Sequence, residues 1–312
     1  MDDRILALLR RVLQKIEPNL SFSRVTEGSS SNVYKIINGT DTLYLRMPKD
    51  KGTMVSPQIL AHEQLAKKGI KVPRFVSWDD ANATLGYSYM IVKALPGLSL
   101  EALKKKNRAE YDSCVESVLE DAGEDIARTT HIPTSNYGWI KRDQKKAREL
   151  VGEVDFYKDF LLDKFSKKVK DLEAAGFPTF TEDQLERYKM LVFKYIPEGR
   201  PNLCHGDFDL SHIYVSNGRY SGIIDWGDIR SASNVFDIAH FTAYHPEEAE
   251  FILKGFQRVI RTDKDFERKL VLTRLAICVD KLWWIAKNVN KRFADHEFRE
   301  AITKDIAQLK SL

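Results

Sequence analysis

Apolar residues recur at intervals of three and four in the opening stretch. Ile5, Leu8, Leu9, Val12, Leu13 and Ile16 fall on one helical face until Pro18 stops the pattern. The period then changes to two. In "SNVYKIINGTDTLYLRMP", Val33, Lys35 and Ile37 alternate with Asn32, Tyr34 and Ile36, and Asn38-Gly39 is a turn signal leading into a second strand at 42–47. "SPQILAHEQLAKKG" restores helical spacing: Ser56 reads as N-cap, Pro57 sits in the first turn and Gly69 is the stop. Two more strands are expected around residues 74–78 and 87–92. The order is strand, strand, helix, strand, strand.

"ALPGLSL" at 94–100 breaks this β-rich part from the rest of the chain. Residues 101–197 are mainly helical in pattern, interrupted at Ile132-Pro133 and at Gly176-Phe177-Pro178. A short hairpin comes next, "HIYV", "SNGR" and "YSGIID", before helical spacing returns over 247–312 with Phe251, Ile252, Phe256 and Val259. The predicted class is α+β. A small antiparallel-sheet lobe spans 1–93, a hinge 94–97, and a larger helical lobe 98–312.

Composition then narrows the class. The chain has 312 residues, 43% hydrophobic and 30% charged, enough apolar content for sizeable cores and too much for a disordered chain. No apolar run approaches the roughly 18 residues that cross a bilayer. The opening "MDD" is not the basic start of a secretory signal. Cys114, Cys204 and Cys278 lie far apart and form no CxxC, so unpaired thiols and a cytoplasmic location are expected. The net charge of +4 is unevenly spread: residues 204–250 hold eight acids against Arg219 and Arg230, whereas residues 254–312 carry an excess of Lys and Arg. That basic tail reads as solvated helix faces. It has no zinc-finger spacing and no aromatic-rich RNA motif, so we expect a monomer with neither nucleic acid nor membrane as partner.

The chemistry concentrates in "LCHGDFDLSHIYV" and "IIDWGD". The hairpin bends one segment back on the other, so Asp207 and Asp225 can face one cleft. Phosphoryl transfer needs such a pair: one carboxylate accepts the proton of the attacking hydroxyl, and the other holds the metal that bridges the phosphates. Turn and capping roles in a structural hairpin are the plain alternative.

These segments resemble the aminoglycoside phosphotransferase and choline kinase family, which has a protein-kinase-like two-lobed fold and the pattern HGDxxxxN followed by IDW or IDF. "SSSNVYKIINGTDTLYLRMPKD" is similar to its nucleotide loop and following strands, "HEQLAKKGIKVPRFV" to its next helix and strand, "MIVKALPGLSL" to its hinge, and "NVFDIAHF" to the segment after the metal Asp. The resemblance implies a kinase that transfers the γ-phosphate of ATP or GTP to a small-molecule hydroxyl with Mg²⁺. It assigns Asp207 as the base and His212 with Asp225 as metal ligands. Ser29, Ser30 and Ser31 would cover the phosphates in place of a glycine-rich loop, and Val92, Lys93 and Leu95 would offer backbone groups to the base of the nucleotide. His205 would brace the loop, and Asp237 would be structural.

Two positions depart from that pattern. Arg46 stands where kinases place the phosphate lysine, and an Arg46–Glu63 pair is expected to hold it. A purely structural salt bridge is the alternative. His212 stands at the Asn position, and imidazole suits softer metals than Mg²⁺. The same His occurs in the macrolide phosphotransferases and the aminoglycoside 2″-phosphotransferases that this motif resembles, so it points to a subgroup more than to lost activity.

An aminoglycoside-like acceptor fits the acidic stretch 204–250. Asp209 and Asp228 are its surplus acids, and Trp283 or Trp284 in "KLWWIAK" is a candidate wall for a sugar or amine. Neighbours on a helix diverge by about 100°, so at most one of the two faces a cleft. Choline, a sugar or an amino alcohol is the alternative acceptor on the same scaffold. A catalytically silent nucleotide-binding module is the rival from another class.

Overall fold

The protein is described here by a computed structural model covering residues 2–13, 15–25, 31–177, 179–196, 199–288 and 297–309. It opens with helix α1 (Asp2–Val12), followed by β1 (Ser21–Val25), β2 (Ser31–Asn38) and β3 (Asp41–Pro48). Helix α2 (Ser56–Lys67), β4 (Phe75–Asn82) and β5 (Tyr87–Lys93) complete this part. The five strands form one antiparallel sheet in the order β1-β2-β3-β5-β4.

Period-two alternation gives each strand a core face and a cleft face. Leu43, Leu45 and Met47 of β3 are buried against Ile5, Leu8 and Leu9 of α1 and Tyr34 and Ile36 of β2. Burying each such side chain is worth about 1.5–3 kcal/mol. The same alternation turns Arg46 to the opposite face, toward the rest of the chain. Strand β1 has no counterpart in the expected order; it is largely exposed and takes its place by register with β2, Ser21 opposite Ile37 through Val25 opposite Val33.

Helix α2 begins where expected but is capped differently. Its N-cap is Val55, and the carboxylate of Asp80 on β4 accepts the N–H groups of Val55 and Ser56 at 2.8 and 2.9 Å. A buried carboxylate at a helix N-terminus satisfies orphan donors and complements the dipole. Ser56, expected as the cap, instead accepts the Ala147 N–H through Oγ at 2.9 Å. A cap supplied from across the fold leaves no local signature.

The remainder is a helical body with short sheets. It contains β6 (Leu98–Ser99), α3 (Leu100–Lys106), α4 (Arg108–Thr129), β7 (Gly138–Trp139), α5 (Tyr157–Leu162), α6 (Phe165–Ala174) and α7 (Glu182–Tyr195). Then come β8 (Asn202–Cys204), β9 (Ile213–Ser216), β10 (Arg219–Ile223), β11 (Arg230–Ala232), α8 (Phe236–Tyr244), α9 (Ala249–Val259), α10 (Phe266–Asn288) and α11 (Glu297–Gln308). β9 and β10 form the expected hairpin, with Asn217 and Gly218 both at positive φ in the turn and β6 on the outer edge of β9. The body has its own core, which Ala61, Leu65 and Ile70 from α2 and the residues after it also join. The three cysteines are free and buried. Among the described residues, no helix is long and apolar enough to cross a membrane.

Candidate active site

Asp207 lies on the loop between β8 and β9, and Asp225 lies two residues past the end of β10. The two segments are stitched together. Ile224 N donates to His212 O at 3.0 Å, and the His205 ring bonds through Nε2 to the Ile224 carbonyl at 2.8 Å. Since Nε2 donates there, Nδ1 of His205 accepts, and the Asp207 N–H reaches it at 3.3 Å. Buried Asp237 receives the N–H groups of His205 and Gly206 at 2.7 and 2.9 Å. Burial pushes Asp237 up to about 6, against the pull of those two donors. Gly206 has φ +85°, and a Cβ there would lie 1.9 Å from the Asp228 carbonyl oxygen, so no other residue fits this turn.

The two carboxylates have different partners. Oδ1 of Asp207 accepts Lys281 Nζ at 2.8 Å and faces Nε2 of buried His240 at 3.3 Å. Burial favours its neutral form, but His240 and Lys281 outweigh burial and hold the carboxyl well below the usual range. Oδ1 of Asp225 accepts Arg46 Nη2 at 2.6 Å. Burial again raises the pKa, and Arg46 foremost brings it down to about 2. Asp225 has φ +60°, a left-handed conformation that is costly for a residue with a Cβ and that clusters at functional sites.

His212 lies between them. Its Nδ1 donates to the Asp207 carbonyl at 2.7 Å, which leaves the lone pair of Nε2 facing Asp225 Oδ2 at 4.0 Å. A ring nitrogen and a carboxylate oxygen turned toward each other, both with lone pairs, fit a divalent cation between them. Burial opposes protonation of His212, yet Asp209, Asp225 and Asp207 raise its pKa; the same negative potential attracts a metal ion. Donor atoms of Asp207, Asp209 and His212 also lie within 4.8 Å of one another.

The other expected site residues divide. Ser29 and Ser30 lie outside the described residues. Ser31 lines a cleft of about 460 Å³ with Arg46, Gln58, Trp139, Arg142 and Gly227, a volume within the usual range for small-molecule sites, roughly 300–1,000 Å³. The expected Arg46–Glu63 pair does not form, because Arg46 binds Asp225 and Glu63 is exposed. Helical phase is the reason: Gln58 and His62, four residues apart, share the buried face, and Glu63 is rotated a further 100° outward. Of the residues expected to meet the nucleotide base, Val92 is buried in the sheet. The Lys93 N–H is bound to Arg74 O and the Ala94 N–H to Thr42 O, while the Lys93 side chain pairs with Asp41 at 2.6 Å. Those two N–H groups therefore belong to the sheet. Leu95 packs near Gly222.

Asp209 accepts the Ser211 N–H at 2.6 Å. Asp228 faces the charges of Arg142 and Arg230, two cations of its own chain. Trp283 leaves the cleft entirely, donating Nε1–H to Asp171 at 2.9 Å with Lys287 over its ring. Trp284 is 47% exposed. Three further positions at the candidate site are not evident from the sequence. Lys281 and His240 are apolar-run neighbours whose polar ends reach Asp207, and Arg142 donates to the Gly227 carbonyl. A lysine three residues before an exposed Trp in a mostly buried helix is the one available signal.

Residues 21–270 match the model of the phosphotransferase enzyme family. The chain belongs to that family. It is 26% identical to the aminoglycoside 3′-phosphotransferase of Enterococcus faecalis over 73% of this chain and 81% of that protein. It is 19% identical to the hygromycin-B 4-O-kinase of Escherichia coli over 75% of this chain and 65% of the relative. The fold is that of a thermostable mutant of the aminoglycoside phosphotransferase APH(4)-Ia, with TM-score 0.68, 16% identity and coverage of 93% and 95% of the two chains. The APH(2″)-IIa structure, a ternary complex with streptomycin and ATP, superposes with TM-score 0.58 at 16% identity, covering 100% and 97%. The phosphotransferase has a kinase-like fold, an antiparallel sheet joined to a helical body.

Proposed function

We propose that this phosphotransferase moves the γ-phosphate of ATP to a hydroxyl of a small molecule, with Asp207 as base and Asp225 and His212 as metal ligands. The observation that carries the reading is His212, bonded to the loop carbonyl of Asp207 at one nitrogen and facing Asp225 with the other. Oδ1 of Asp207 is held by Lys281, which leaves Oδ2 to orient the acceptor hydroxyl and take its proton. Mg²⁺ held by His212 and Asp225 would neutralise charge on the phosphates. Arg46, released from Asp225, has the bidentate reach to grip a phosphate oxygen. ATP is favoured as donor by the ATP and ADP complexes of the structural relatives.

The names of the relatives make an aminoglycoside-like antibiotic the first acceptor to test. A metabolite hydroxyl without a neighbouring amine is the second reading, and Lys281 beside the base favours it. Calorimetric titration of ATP and GTP, with and without Mg²⁺, into wild type and Asp225→Asn tests the site. Metal-dependent ATP binding lost in the variant supports it. Absence of metal-dependent binding to either nucleotide would leave a silent module.

A further inference from the structure

The acceptor side of Asp207 carries a cation of the protein's own. Lys281 Nζ reaches Oδ1 of Asp207 at 2.8 Å from α10, an element not required by the metal site. The surroundings of this carboxylate can be followed element by element. Helix α8 contributes His240, whose Nδ1 lies 3.1 Å from the Phe208 carbonyl oxygen and whose Nε2 lies 3.3 Å from Oδ1, and Tyr244, whose ring centroid is 6.0 Å from Lys281 Nζ. The loop contributes His212 and Asp209, and the Asp209 Oδ1 is already engaged with the Ser211 N–H. β11 contributes buried Arg230, stacked over Trp139 at 4.0 Å. Lys281 is thus the one of these groups whose ammonium lies within hydrogen-bond distance of the carboxylate of Asp207.

An acceptor hydroxyl must approach Oδ2, the oxygen of Asp207 not held by Lys281. An ammonium group on the next carbon of that acceptor would then lie close to Lys281, with no free carboxylate oxygen of Asp207 between the two charges. Like charges so placed are strongly disfavoured in a partly desolvated site. Three residues further along α10, Trp284 is exposed on a neighbouring part of the same face and can take a ring by stacking.

We propose that Lys281 is a specificity-determining residue of the acceptor site: its ammonium occupies the place beside Asp207 that an acceptor amine would use. The acceptor is therefore a ring-bearing molecule whose reacting hydroxyl sits next to a neutral or anionic substituent. This rests on the phosphotransferase reading of Asp207.

The test uses the full chain and kanamycin A, a sugar with ammonium groups beside its hydroxyls, as probe. Its affinity is measured calorimetrically with Mg²⁺ and a non-hydrolysable ATP analogue, for wild type, Lys281→Gln, Lys281→Arg and Lys287→Gln. Lys281→Gln is expected to bind kanamycin about tenfold more tightly than wild type, and Lys281→Arg to match wild type. Lys287→Gln removes another charge of α10, one paired with Asp171, and is expected to change affinity less than about twofold. Equal or weaker binding by Lys281→Gln, including no binding by any of the proteins, overturns the proposal. So does an equal gain in Lys287→Gln, which would show only a loss of general positive charge. Binding of the nucleotide analogue is read separately in the same samples, and its failure would count against the phosphotransferase reading, not against the role of Lys281.

Discussion

Asp207 and Asp225 sit on adjoining segments, both ionised against the pull of burial, and differ in what holds them. Asp207 is held within the helical body, by His240 of α8 and Lys281 of α10. Asp225 is shared between the two parts of the chain, since its partner Arg46 comes from β3 of the sheet. The proposed base is thus held by one core, whereas the proposed metal ligand Asp225 has its partner on the sheet. Preorganisation of a base lowers the reorganisation needed at the moment of reaction, and under the proposed roles a ligand shared across two parts would tie nucleotide binding to their arrangement.

The comparison breaks first at the carboxylates themselves. Asp207→Asn is expected to lower turnover by about 10²- to 10⁴-fold while leaving metal-dependent ATP binding intact. Asp225→Asn is expected to lose that binding. Single-turnover kinetics beside calorimetry separate the two, and equal loss of binding in both variants would refute the division of roles.

A second effect belongs to the base side alone. Asp237→Ala strips the acceptor from the buried N–H groups of His205 and Gly206. It should destabilise the chain by about 2–4 kcal/mol in urea unfolding, because each orphaned donor costs about 1–3 kcal/mol. A loss under about 0.5 kcal/mol would show that water replaces it.

On the metal side, Arg46→Ala should raise the ATP KM about tenfold with a smaller change in kcat, and Arg46→Lys should recover part of it. An unchanged KM would mean that Arg46 serves only to hold Asp225.

The smallest effect tests the seam between the two parts. His62 is buried in α2 between Phe75 and Trp226, and burial lowers its pKa to about 3. The unfolded chain takes up a proton at His62 below about 6.5, and the folded chain does so only near 3. This residue's contribution therefore falls as pH drops from 6.5 toward 3, by at most about 1.4 kcal/mol per pH unit. His205, lowered to about 4, acts in the same direction. His62→Leu should reduce the drop in melting temperature between pH 7 and pH 5 by roughly 2–4 °C. An identical drop in wild type and variant would mean that His62 is protonated in the folded state.

How far the sequence carries differs from residue to residue. Asp207, His212 and Asp225 were legible because one short hairpin links them, so local turn chemistry sets their approach. Arg46 was legible in its facing, since period two along β3 leaves no choice once Leu43, Leu45 and Met47 are core. Its partner was not. A shift of one residue along α2 rotates a side chain by about 100°, and the phase depends on packing of Ala61 and Leu65 against a core built mostly from residues 100–309. Trp283 and Trp284 were separable in principle but not in assignment: Asp171, more than a hundred residues earlier, decides which one turns away.

The chain's own order of residues determined strands β2 to β5, the β9–β10 hairpin and the pairing of two carboxylates, because period and turn geometry act over a few residues. Long-range packing decided that Asp80 caps α2, that Arg46 meets Asp225 and that Lys281 meets Asp207, contacts 24, 179 and 74 residues apart. Each joins groups whose meeting depends on where whole helices come to rest, and no local preference encodes that position.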